Sequence, residues 1–477
     1  MDGAMQMQPA LLLPEIITFI GGLVVLLGGS FLPRDSQWIA RTAAALALLG
    51  AAGAAALAMA GPAQAAFAGT FAVDTATGAA RMIAALSTLL ILGVASGEIA
   101  GSARESDTYA LLLFATTGVM VLAGTTDLLV LIAGFLLASI PLYGIVGLAG
   151  GRTGAEAALK TYLMGALSGI LLMLGVALLY ALTGATDYAR LREELSAAPG
   201  VAVGAGVLCV LVGLLFKAGG VPVHFWVPDA AQGAGVTAAT FLTTVPKIGA
   251  LVAMYRLIAM VSEGNQSWLV VVAVLATASM FLGNLAAYWQ RDPRRLLGWS
   301  TVSQVGFLLV PVAAVGRSDL ALPSLLFYLT AYALTNIAAF AVTATFPDHR
   351  ELDAYRGLVG ARPGLALALL VALLGLVGTP PTAVFVGKLA VATAVWDGGQ
   401  GWLALIVMIN SVLSLFYYLR WFGPAFARTT RRSAEPSRMD EVAAWPAVTA
   451  AVAASASLAL GIGAGLLWAV LEGPLLF

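Results

Sequence analysis

Three lysines carry the chemistry this sequence can offer. The chain has four lysines against 20 arginines, and three of the four, Lys217, Lys247 and Lys388, fall inside or at the ends of apolar runs. An ammonium taken out of water is costly, so a buried lysine faces a wet cavity or a partner, or else it gives up its proton. Arginine cannot give up its proton at accessible pH, which makes lysine the basic residue suited to loading and releasing protons. The bland reading is an amine that reaches up to the membrane interface, and only positions near a helix end allow that.

The backbone around these lysines is irregular. FKAGGVPVHFWVPD places Gly219, Gly220 and Pro222 within two turns of Lys217, and Pro228 follows. Proline and glycine there break the helix and free carbonyls that can bind water. Lys247 comes one residue after Pro246 in FLTTVPKIGALVAMYRL, and Lys388 follows Gly378, Pro380 and Pro381 in LLGLVGTPPTAVFVGKLAVA. Non-helical backbone at membrane depth is tolerated where it lines protein or a water-filled cavity. A broken helix beside a lysine therefore reads as an ion path. His224 is either a relay toward the cytoplasmic mouth, its unperturbed pKa being near neutral, or a structural ring bonded to a freed carbonyl. Asp229 is expected to cap the next helix start. The single cysteine, Cys209, reads as a small packing residue, and no ligand set for a metal is evident.

These groups need helices to position them. Of the 477 residues, 60% are hydrophobic and 10% charged, a composition foreign to a soluble core. We count about fourteen runs near the roughly 20 residues that span a bilayer. They lie at 11–32, 38–60, 80–98, 108–123, 127–149, 157–183, 201–223, 235–261, 267–289, 297–315, 321–344, 363–390, 401–423 and 443–470. The first is expected to be a permanent span rather than a cleaved signal peptide. No connection is long enough for a soluble domain, so one membrane domain is expected. Segments such as GALSG and GIGAG sit within spans and read as close helix packing, not as nucleotide loops.

The 24 basic and 24 acidic residues cancel, which removes the charge argument for nucleic acid. Their placement is asymmetric. Loops after odd-numbered spans hold Arg34, Arg41, Arg104, Arg152, Lys160, Arg291, Arg294, Arg295, Arg350, Arg356, Arg362, Arg420, Arg428, Arg431, Arg432 and Arg438, whereas the opposite loops hold Arg190, Arg192 and Arg317. The positive-inside rule then predicts that both termini lie outside.

PVHFWVPDAAQGAGVTAATFLTTVPKIGA, with LLPEIITFIGGLVVLLGG, PRRLLGWSTVSQVGFLL and GTPPTAVFVGK, resembles subunit N of NADH-quinone oxidoreductase, respiratory complex I, over nearly the whole chain. The resemblance implies an all-α polytopic membrane protein of fourteen helices, with inverted five-helix repeats at helices 4–8 and 9–13 and discontinuous helices 7 and 12. The divisions would be 1–100 for three N-terminal helices, 101–262 and 263–425 for the repeats, and 426–477 for the last loop and helix. It implies proton translocation by Lys217, Lys247 and Lys388 in the bacterial plasma membrane, with His224 as a candidate relay. It further implies no redox centre in this chain, with FMN, iron–sulfur clusters and quinone in partner subunits, and the antiporter-like subunit M and small subunits K and J as neighbours.

Two positions depart from the family pattern. The fifth span reads LLASIPLY, which places Leu136 where the family has a glutamate paired with the lysine of the seventh helix, and Asp127 is too far along the helix to substitute. Gln304, in STVSQVG, stands where the family often has histidine, and glutamine carries no proton at neutral pH. Other readings remain: a subunit of a multi-subunit cation/proton antiporter or membrane-bound hydrogenase, or a structural arm subunit whose channel is impaired by Leu136.

Overall fold

The computed structural model describes residues 8–263, 265–427 and 443–476. Its helices in chain order are α1 (Leu13–Phe31), α2 (Trp38–Met59), α3 (Thr75–Ile99), α4 (Glu105–Gly124), α5 (Leu128–Gly147), α6 (Gly151–Thr183), α7 (Tyr188–Glu194), α8 (Gly200–Ala218), α9 (Trp226–Gly233) and α10 (Val236–Ser262). They continue with α11 (Ser267–Ala287), α12 (Pro293–Leu309), α13 (Ala321–Thr345), α14 (Leu358–Ala361), α15 (Pro363–Val377), α16 (Ala383–Asp397), α17 (Gly401–Phe426), α18 (Ala444–Ile462) and α19 (Ala464–Leu471). A short antiparallel hairpin that the sequence did not announce, β1 (Gln64–Ala66) with β2 (Phe71–Val73), joins α2 to α3. Arg428, Arg431, Arg432 and Arg438 lie outside the described residues.

Lipid offers no partner to a bare peptide group, so a spanning segment must satisfy its own backbone. Among the described residues, thirteen helices are long and apolar enough to cross a membrane. The twelfth expected span is split into α15 and α16, of 15 residues each, about 22 Å apiece at the helical rise. The seventh is interrupted too, because α8 stops at Ala218 and α9 resumes at Trp226. Both stops have one cause. Gly219 and Gly378 take φ of 83° and 87°, a left-handed conformation that glycine adopts without a Cβ penalty. Their N–H groups close back on Leu215 and Phe216 and on Leu374 and Gly375, respectively. The last expected span, 443–470, also divides, at Gly463.

α10 is the hub, buried along its length and packed against α3, α4, α8 and α13. α1, α2 and α18 carry the outward apolar faces, with Phe31, Leu57 and Ile462 exposed, as lipid contact allows. α3 begins five residues before the expected start at 80 because Asp74 caps it, accepting the Thr77 N–H at 3.0 Å. Buried charge is not confined to lysines. Arg81 of α3 grips Glu15 of α1 at 2.7 and 2.8 Å, and Arg256 of α10 pairs with Asp74 at 2.6 Å.

Candidate functional site

Lys217 is the next-to-last residue of α8 and is fully buried. Its amine donates to the Ser139 hydroxyl of α5, which in turn donates to the Phe135 carbonyl at 2.6 Å. The Phe135 ring centroid lies 5.1 Å from the ammonium, within cation–π range. Leu136 stands three residues before Ser139, on the neighbouring helix position, and supplies only hydrocarbon. Asp127 is spent elsewhere. It caps α5 through the Leu129 and Val130 N–H groups at 2.7 and 3.1 Å and accepts from Thr186 at 2.6 Å, about 18 Å along the axis from Ser139.

Lys247 is held by its own helix. Pro246 has no N–H, so the Leu242 carbonyl four residues earlier loses its helical donor, and the Lys247 amine fills that place at 2.9 Å. The same amine lies against the break in the seventh span, since a Cβ at Gly219 would come within 3.6 Å of Nζ.

Lys388 uses the second break. Its amine donates to the carbonyls of Leu376 and Val377 at 3.2 and 2.9 Å, the last of α15, where freed carbonyls and the negative end of the helix dipole favour a cation. The Phe307 ring lies 4.1 Å away. Gln304 of α12 also donates to Leu376 O, at 2.9 Å, and accepts from Tyr328 at 2.5 Å. Gln304 thus ties Tyr328 of α13 to the carbonyl that holds Lys388.

Between α10, which carries Lys247, and α12, which carries Gln304, runs a buried polar seam that the sequence reading missed. Tyr332 donates to Thr243 O at 2.7 Å and meets the Thr301 hydroxyl at 3.1 Å. The Asn336 amide donates to the hydroxyls of Thr243 and Thr244 at 3.0 and 2.8 Å, and Ser300 meets the Tyr418 hydroxyl at 2.5 Å. The signal was present: Thr243, Thr244 and Lys247, and likewise Ser300, Thr301 and Gln304, recur at the spacing of one helix face. Among the described residues, no carboxylate forms an ion pair with Lys217, Lys247 or Lys388.

One expectation for FKAGGVPVHFWVPD changes. Asp229 does not cap a helix. It sits in the first turn of α9 and bridges Lys160 of α6, at 2.7 Å, to Arg295 of α12, at 2.5 Å, because two cations converge on it from neighbouring elements. His224 is buried against the rings of Phe225 and Trp299. Among the described residues, neither ring nitrogen makes a hydrogen bond of normal geometry, although the Pro222 carbonyl lies near.

Replacing Gln304 by leucine is expected to destabilise the protein by about 1–3 kcal/mol, because the buried Tyr328 hydroxyl loses its acceptor. Thermal unfolding of the variant against the native protein measures this, and an unchanged midpoint would remove Gln304 from the structural tie.

Residues 125–414 match the family described as NADH:quinone oxidoreductase/Mrp antiporter, TM. The chain is 62% identical over 462 residues to NADH-quinone oxidoreductase subunit N of Mycobacterium sp., covering 97% of this chain and 98% of that one. It is 49% identical to a subunit N of Streptomyces griseus, covering 96% and 97%. Among solved structures, a chain of respiratory complex I from Thermus thermophilus superposes with TM-score 0.81 at 31% identity, covering 96% and 99%. A chain of the Mrp complex from Dietzia sp. superposes with TM-score 0.82 at 24% identity, covering 97% and 96%, a likeness of fold alone.

Proposed function

Because this chain belongs to the subunit N family of NADH-quinone oxidoreductases, we propose that it moves protons through the membrane arm of such a complex, with Lys217, Lys247 and Lys388 loaded and released in turn. One observation carries the assignment of those residues: each buried amine rests on neutral acceptors, a hydroxyl for Lys217 and freed carbonyls for Lys247 and Lys388. A carboxylate partner would favour the charged ammonium over the neutral amine. A hydroxyl such as that of Ser139 can accept from an ammonium or donate to a neutral amine, so it supports both states of a proton carrier.

The driving energy is assigned to quinone reduction in partner subunits, which would hold the flavin and iron–sulfur clusters, since one cysteine cannot supply a cluster's ligands. Subunits M, K and J are proposed as neighbours on the family resemblance. The arginine asymmetry supports both termini outside the bacterial plasma membrane. The two glycine-stopped breaks, each beside a lysine, support a pair of inverted repeats, 101–262 and 263–425, of the kind transporters use. The antiporter reading rests on fold likeness only.

A second reading follows from Leu136: an arm subunit whose channel is idle. Proton translocation per NADH oxidised, measured in sealed vesicles holding the assembled complex, separates the two. Lys217→Met is expected to lower the ratio. If that variant left it unchanged while Leu136→Glu raised it, the subunit would be a scaffold and the relay proposed here would be wrong.

A further inference from the structure

A groove on the outer surface lies between α2, α3 and α18, away from the lysines. Its volume is about 360 Å³, and its walls include Ala45, Leu90, Val448 and Val452. At one end sits Arg41, its guanidinium 5.6 Å from the centroid of the Trp445 ring.

The depth of these groups follows from the helix ranges. Arg41 lies in the first turn of α2, Ser96 in the last turn of α3 and Trp445 at the start of α18, so all three stand at one membrane face. From there the groove runs inward past Val448 to Val452, about 10 Å at the helical rise. Trp445, Val448 and Val452 are half exposed, at 57%, 51% and 50%. Arg41 lies beside the Tyr109 hydroxyl, which donates to Glu105 at 2.9 Å. No described carboxylate pairs with Arg41 directly.

An uncovered apolar slot that ends in a guanidinium and an indole at the interface matches one kind of ligand. We propose that this groove binds an anionic phospholipid, one acyl chain lying along α3 between α2 and α18 and the phosphate meeting Arg41. Arginine and tryptophan anchor at the headgroup level, and basic pockets between helices on the side rich in anionic lipid recognise such headgroups. A partner helix could fill the apolar slot, but it would give the guanidinium no anion unless it brought a carboxylate.

The test uses the assembled complex in vesicles containing phosphatidylglycerol or phosphatidylcholine that carries the same photoactivatable acyl chain, with adducts mapped to peptides. Labelling of the Val448–Val452 segment is expected to favour phosphatidylglycerol by about fivefold, the preference that one arginine near a charged surface supplies. Arg41→Gln is expected to abolish the preference but keep residual labelling, and Ala45→Trp, which fills the slot, to reduce labelling by both probes. Equal labelling of the native complex by the two lipids, a preference that survives Arg41→Gln, or crosslinks from this segment to a neighbouring subunit in place of lipid would each overturn the proposal.

Discussion

Lys388→Arg is expected to leave the assembled complex intact while proton translocation through this subunit falls by about a hundredfold or more, the scale on which a positioned acid–base group contributes. A guanidinium still carries the charge and the donors that satisfy the Leu376 and Val377 carbonyls, and its stem follows the same path past Gly378, to which the Lys388 Cδ packs closely. It cannot release a proton. Lys388→Met removes charge and donors together, so its defect mixes a broken relay with unsatisfied carbonyls. The two variants, compared for proton translocation and NADH oxidation in sealed vesicles, separate proton release from positive charge. A native translocation ratio in Lys388→Arg would show that the lysine serves as a fixed cation.

The largest effect on stability is expected at Arg256. Its guanidinium donates to Ala123 O at 2.9 Å, Leu476 O at 2.7 Å, Asp74 at 2.6 Å and the Thr77 hydroxyl at 2.8 Å, and Asp74 accepts the Leu476 N–H at 2.9 Å. Both charged side chains are fully buried. Arg256→Met therefore strands a carboxylate without its partner, a loss of about 3–5 kcal/mol. It also releases the C-terminal segment from the end of α10. Adding Asp74→Leu to Arg256→Met is expected to change stability by much less than the sum of the two single changes, because the residues act as one unit. The exposed pair Arg192–Glu263 offers the contrast, at about 1 kcal/mol or less for Arg192→Met. Thermal unfolding in detergent checks both, and equal shifts for the buried and exposed pairs would refute the argument.

Membrane residence, the spans and the two broken helices were legible in the sequence for a simple reason: a bilayer permits few solutions. A run of about 20 apolar residues has to be a helix there, and Gly219 with Pro222, or Gly378 with Pro381, has to interrupt one. The three lysines stood out because charge in such a run is costly. Their partners did not. Ser139 lies 78 residues from Lys217, and Leu376 meets Gln304 across 72; no local spacing encodes which hydroxyl or carbonyl a buried amine will find. Asp229 misled for the same reason, since capping is a local rule and its bridge from Lys160 to Arg295 crosses three helices. The sequence alone determined that lysines would be buried beside broken helices. Only the tertiary packing decided which neutral oxygens hold them, because which side chains and carbonyls converge on a buried charge is settled by helices meeting across the core.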